Sequence, residues 1–159
     1  MKILVIDDNE FKFDNIKKIL EKVDVEPEIT WAKSRNSGLI SILQHNVQDN
    51  DLAPFDMLIC DNYLPIYDDD WETKPFGQDI VEEVRERFGL TDLPIVMCSS
   101  EPLEEFDYNY SIIYNSSVYM DPMFKEVIDD INDKKKTLVL TKINKEKLWK
   151  FVLFMKSIR

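Results

Sequence analysis

The chain has 159 residues, 44% of them hydrophobic, enough for one well-buried domain and short for two. Its formal net charge of -11 argues against unaided binding to nucleic acid or an anionic membrane surface, whose phosphates it would repel. A single histidine and two cysteines without a CxxC pair argue against zinc, and the sequence shows no signal peptide and no membrane-spanning stretch.

Ile3 to Ile6 is an apolar, β-branched run leading into Asp7-Asp8-Asn9, which predicts a strand, a turn and a helix start with Asn9 as N-cap. The helix carries Ile16, Ile19, Leu20 and Val23 on one face, and Pro27 stops it. Glu28 to Ala32 predicts a second strand, and Leu39, Ile40, Ile42 and Leu43 mark a second helix opened from Ser37-Gly38. Residues 44–54 form a polar connection ending at Pro54, in which His45 reads as a surface residue. Met57 to Cys60 is apolar throughout, the pattern of a strand buried on both faces, and it delivers Asp61 before Pro65 ends it.

Residues 66–76 lack a period and form a second long connection, whose Asp68, Asp69 and Asp70 read as a solvated acidic loop. Gly77 opens a third helix bearing Ile80, Val81, Val84 and Phe88, closed by Gly89. Pro94 to Cys98 predicts a fourth buried strand running into Ser99. Residues 101–121 are a third long connection with four tyrosines, read as packing or as an interaction loop. Phe124, Val127, Ile128 and Ile131 mark a fourth helix ending at Lys134-Lys135-Lys136. Thr137 to Thr141 predicts the fifth strand, with Lys142 at its end. A last helix opens at Asn144 and keeps Leu148, Phe151, Val152 and Met155 in register. Cys60 and Cys98 sit in apolar strands and read as buried, reduced thiols of a cytoplasmic protein.

Strands alternating with helices predict an α/β fold: one domain over residues 1–159, a doubly wound five-stranded parallel sheet with helices on both faces. Such a sheet delivers all its strand ends to one edge, here Asp7, Asp8, Asp61, Ser99 and Lys142. Crowded carboxylates repel unless a cation intervenes, and oxygen ligands suit a hard ion such as Mg2+. In that setting Asp61 is placed to attack phosphorus, Lys142 to neutralise a phosphoryl oxygen and Ser99 to donate a hydrogen bond to another.

Four stretches, Lys2 to Asp8, Asp56 to Pro65, Leu93 to Ser100 and Thr141 to Asn144, together resemble the receiver domains of two-component response regulators. The resemblance implies strand order 2-1-3-4-5 and Mg2+ bound by Asp8, Asp61 and the backbone carbonyl of Tyr63, with Asp7 close by. It further implies phosphorylation of Asp61 by a histidine kinase or phosphotransfer protein, with Ser99 turning toward the phosphoryl group and an interaction surface shifting between two states.

The chain also departs from the family pattern. Ile143 stands where proline usually follows the lysine, and Val139 where an aromatic readout residue is common. Tyr119 to Pro122 is an alternative fifth strand, but it would put Asp121 in the lysine's place. Taken singly, Asp8 could cap a helix, Ser99 could form a turn and Lys142 could be a surface charge. Tyr63 and Glu101 would flank the path of attacking water and tune acyl-phosphate lifetime.

The expectation is a stand-alone receiver that signals by protein contact. It would be a phosphoacceptor with possible autodephosphorylation rather than a turnover enzyme; the alternative is a pseudo-receiver interaction module that works without phosphorylation. An aspartyl phosphatase wants a second acid two residues past the nucleophile, and Tyr63 is there. Trp149, Leu153 and Phe154 lie outside the last helix's stripe and suggest a partner or a homodimer, or else packing on the 101–121 connection.

Overall fold

A computed structural model of the chain describes residues 1–23, 26–49 and 51–137. The strands are β1 Lys2–Ile6, β2 Glu28–Ala32, β3 Met57–Cys60, β4 Ile95–Ser99 and β5 Tyr110–Ile113. They form one parallel sheet in the order β2-β1-β3-β4-β5, the expected topology. The three inner strands read as unbroken aliphatic runs because both of their faces are covered, and Ile3 to Ile6 and Met57 to Cys60 are at most 1% exposed.

Helix α1, Glu10–Val23, follows β1. The Asn9 side chain caps it, with Oδ1 accepting the Lys12 N–H at 3.0 Å. Helix α2, Arg35–Ile42, begins earlier than the hydrophobic pattern indicated. Ser34 is its N-cap and forms a reciprocal capping box with Ser37, so hydroxyls rather than apolar spacing set the boundary. Helix α3, Phe76–Glu82, follows β3. Both α2 and α3 continue into a widened turn, Leu43–Val47 and Glu83–Arg87. Each is closed by an i→i+5 bond, from Gln48 N–H to Leu43 O and from Phe88 N–H to Glu83 O. Gly89 then takes φ +68°, the left-handed end that glycine allows most cheaply. His45 therefore lies on a helical turn, where a ring nitrogen meets Ala53 O at 2.8 Å and the ring packs on Phe55. It is half-buried, and not the loop surface residue of the sequence reading.

The fifth strand is the main correction. Tyr110 to Ile113 fills the place beside β4, inside the 101–121 stretch read as a connection, with Ser99 opposite Ile113. Residues 121–137 are helical, so Thr137 belongs to a helix rather than to a strand. The rest of the expected strand, Lys142, Ile143 and the last helix with Trp149, Leu153 and Phe154 lie outside the described residues.

The chain divides into two compact units, Met1–Lys125 and Glu126–Arg159. The sheet and the site lie in the first; of the second, residues 126–137 are described and are helical. Among the described residues, no helix is long and apolar enough to cross a membrane. Cys60 and Cys98 are buried free thiols, and burial pushes the Cys98 thiol up to about 12.

Candidate functional site

At the carboxyl edge of the sheet, β1 ends at Ile6 and β3 at Cys60, so Asp7 and Asp61 emerge side by side. Backbone bonds hold the two tips: Asp61 N–H donates to Ile6 O at 2.9 Å, and Asp7 N–H to Ala32 O at 3.0 Å. Oxygens of Asp7, Asp8 and Asp61 lie within 4.8 Å of one another. Asp7 is buried, Asp8 exposed and Asp61 intermediate, a graded funnel from the sheet to solvent.

The turn after β1 fixes Asp7. Its Oδ1 accepts the Asn9 N–H at 3.0 Å, and its carbonyl accepts the Trp31 Nε1–H at 2.7 Å. Asp61 Oδ1 accepts the Asn62 N–H at 2.7 Å, which leaves Oδ2 turned to the cluster. Gly77 lets α3 approach this turn: a Cβ there would stand 2.5 Å from Asp61 O and 2.7 Å from Asn62 Cα, both backbone atoms. Its N–H donates to Asn62 O at 2.9 Å. Only glycine fits against the Asp61 peptide at that distance.

Sequence reasoning missed the cation of this site. Lys12, in the first turn of α1, is 4% exposed. Its Nζ lies 2.8 Å from Asp7 Oδ2 and 3.0 Å from Asp61 Oδ2, and it donates to Cys98 O at 2.6 Å. Tyr114, the first residue past β5, covers it with its ring centroid 5.3 Å from Nζ. The tyrosine hydroxyl in turn accepts from Asn15 Nδ2 at 3.0 Å, and its N–H donates to Ser99 O at 2.8 Å. A signal for Lys12 was present. It precedes Ile16 by four residues and so falls on the buried stripe of α1, where a charge needs buried partners.

Burial dominates the titration of the acids. Desolvation raises Asp7 to about 6, with Lys12 pulling it down and Asp61 pushing it up. Desolvation also raises Asp8. For Lys12, burial lowers the pKa, but the charges of Asp7 and Asp61 outweigh it and the net shift is upward. Asp7 Oδ2 is buried against the Lys12 ammonium, 2.8 Å away, and has no second donor. Three carboxylates beside one ammonium leave an uncompensated negative charge. That donor set fits a divalent cation with oxygen preference.

Of the other expected site residues, Ser99 ends β4 and is buried, its Oγ accepting the Glu101 N–H at 3.4 Å. Tyr63 lies on the turn past Asp61 with its side chain exposed. The acidic connection folds back on itself: Leu64 bridges Lys74, and Asp70 accepts the Tyr67 N–H at 3.1 Å.

No model of a known protein family matches the sequence, and no curated protein sequence matches it. Solved structures do match in shape. A response regulator receiver domain from Clostridium thermocellum superposes with TM-score 0.59 at 21% identity, covering 86% of this chain and 98% of that one. The response regulator TrrA from Thermotoga maritima, solved in complex with Mg2+-BeF, gives TM-score 0.60 at 18% identity, covering 82% and 97%. A CheY-like receiver domain from Methanospirillum hungatei gives TM-score 0.60 at 18% identity, covering 86% and 97%. The chain has the fold of response-regulator receiver domains.

Proposed function

We propose that the chain is a receiver: a Mg2+-dependent phosphoacceptor that signals through protein contact. The observation that carries this reading is the meeting of Asp7, Asp8 and Asp61 at one sheet edge, three carboxylates beside a single ammonium. Asp8, Asp61 and the Tyr63 carbonyl would hold Mg2+, with Asp7 close by; when bound, the ion supplies the positive charge that draws in a phosphoryl group. Asp61 attacks phosphorus through a carboxylate oxygen, the bond from phosphorus to the donor breaks, and its electron pair leaves with the donor. Ser99 donates a hydrogen bond to a phosphoryl oxygen. A histidine kinase or phosphotransfer protein fits as donor, and each phosphoryl group is taken once, so the protein is a switch rather than a turnover enzyme.

The Lys12–Asp61 ion pair favours one other reading. A pseudo-receiver could keep that pair permanently and serve as an interaction module without phosphorylation. The two part in one experiment. Incubation with acetyl phosphate and Mg2+ is expected to add one phosphoryl mass to the wild type and none to Asp61→Asn. An unmodified wild type that also shows no Mg2+-dependent rise in Tm would leave the pseudo-receiver standing.

A further inference from the structure

A receiver of the expected design takes its phosphoryl-binding lysine from the end of the fifth strand. Here β5 ends at Ile113 and Tyr114 follows, so among the described residues no lysine stands at the strand tip beside Ser99. Lys12 reaches the carboxylates from the first turn of α1. We infer that Lys12, carried on α1, is the cation that neutralises the phosphoryl group on Asp61, in place of a lysine from the sheet. This inference rests on Asp61 being the phosphoacceptor.

Three observations support it. Lys12 touches Asp61 through Oδ2, at 3.0 Å, whereas Oδ1 is engaged by the Asn62 N–H. The ammonium is therefore next to the carboxylate oxygen free to bond phosphorus. Its position is also built in by local sequence. Asn9 donates its N–H to Asp7 and accepts the Lys12 N–H on its side chain, locking the β1 tip and the α1 start into one unit. Cys98 O and the Tyr114 ring then fix the far end of the side chain. A donor held this close to where charge will develop needs only a change of partner during transfer, not a movement of the chain. Finally, Cys98 is the residue before Ser99, so the ammonium that senses Asp61 is bonded to the strand end bearing the hydroxyl.

The chemistry balances without a proton transfer. With acetyl phosphate, the bond between phosphorus and the acetyl oxygen breaks and acetate departs with the electron pair. The Asp61 oxygen–phosphorus bond forms, and Lys12 stays an ammonium throughout, exchanging its carboxylate contact for a phosphoryl oxygen.

The test uses the full chain, beryllofluoride as phosphoryl mimic read by 19F NMR, Mg2+ titration read by Tm, and the acetyl phosphate rate. Lys12→Met is expected to fold, to bind Mg2+ at least as well as wild type, to give no bound beryllofluoride resonance and to react about a hundredfold more slowly. Lys12→Gln, which keeps a hydrogen-bond donor without charge, is expected to show the same loss should Lys12→Met unfold, and Lys12→Arg to restore part of the binding. Wild-type beryllofluoride binding in both neutral variants would overturn the inference and leave Lys12 a structural counter-ion. Loss in Lys142→Met with retention in Lys12→Met would overturn it as well. A wild type that binds neither beryllofluoride nor a phosphoryl group would instead sink the phosphoacceptor reading, and the inference with it.

Discussion

Two cations of the first unit are more than nine-tenths buried, Lys12 and Arg85, and they sit at opposite edges of the same sheet. Lys12 lies at the carboxyl edge among acids, with one carbonyl. Arg85 lies at the amino edge, where Nη1 donates to Leu90 O at 2.6 Å and Leu93 O at 2.8 Å, and Nη2 to Asn109 Oδ1 at 2.8 Å. The same Asn109 oxygen accepts the Ile95 N–H at 2.7 Å, so one guanidinium ties the starts of β4 and β5 together. The nearest acid to it among the described residues is Asp107, whose exposed carboxylate lies 3.7 Å from Nε. Desolvation consequently lowers the Arg85 pKa, while carboxylates raise that of Lys12. A cation satisfied by carbonyls has a fixed, structural task. One satisfied by carboxylates can trade partners with a metal or a phosphoryl group, because the acids can hold those instead.

The largest expected effect tests the structural half of that contrast. Arg85→Met strands the Leu93 carbonyl and takes the charged donor from the Leu90 carbonyl and the Asn109 amide oxygen, which keep only a backbone N–H each, and should cost about 3 kcal/mol of folding free energy. Chemical denaturation would measure it. Mg2+ affinity at the acidic edge should stay within about twofold of wild type, since a fixed brace at the far edge has no exchangeable partner in common with it. A parallel loss of Mg2+ affinity would show that the two edges are coupled and erase the distinction.

Gly77→Ala applies pressure directly to the acidic edge. The added Cβ meets backbone at 2.5 Å and 2.7 Å, which cannot rotate aside as a side chain could. A destabilisation of about 2 kcal/mol is expected, together with a several-fold loss of Mg2+ affinity as the Asp61 peptide is pushed. Gly38 supplies the control: there the nearest atom is Ile6 Cδ1 at 2.7 Å, the end of a flexible side chain. Equal Mg2+ losses in Gly38→Ala and Gly77→Ala would count against a special fit at Gly77.

These contrasts also explain what could be read from residue order alone. The inner strands were legible because burial on both faces forces unbroken aliphatic runs, and their ends delivered Asp7, Asp8, Asp61 and Ser99 to one edge. The edge strand was not. Tyr110-Ser111-Ile112-Ile113 is half exposed, with Ile113 at 55%, so it lacks the aliphatic density that marks its neighbours. Thr137 to Thr141 has that density, and the first of its residues is helical. Propensity favoured the wrong segment because an edge position asks less of its side chains. Lys12 was hidden for another reason. Chemistry was sought at strand ends, whereas the ammonium arrives from a helix and only its place on the apolar stripe betrays it.

A third prediction concerns the charge that Lys12 only partly balances. Asp7 is raised from 3.8 to about 6 by burial, so its ionised form is disfavoured in the folded state. That cost is full above pH 6 and vanishes below about 4, where the carboxyl is protonated in both states. Asp7→Asn should therefore be more stable than wild type at pH 7.5, on the order of 2 kcal/mol, with the gain shrinking as pH falls from 6 toward 4. Thermal melts across that window decide it. A gain independent of pH would mean that the ionised acid is not the source, and that Lys12 already neutralises Asp7 completely.

The smallest effect sharpens the comparison at its least charged point. Trp31 stacks on Phe13 with ring centroids 4.4 Å apart, and its Nε1–H donates to Asp7 O at 2.7 Å. It holds the backbone of the acidic edge as Arg85 holds that of the other edge, but with one neutral bond in place of a buried charge. Trp31→Phe keeps an aromatic face for Phe13 and deletes the donor, so about 1 kcal/mol should be lost. Because the bond reaches the Asp7 carbonyl and not its carboxylate, the change should appear in Tm while the pH window of the Asp7→Asn gain stays where it was. A displaced window would mean that Trp31 sets the burial of the carboxyl itself, which would make this half of the molecule one cooperative unit rather than an acid cluster resting on a rigid strand tip.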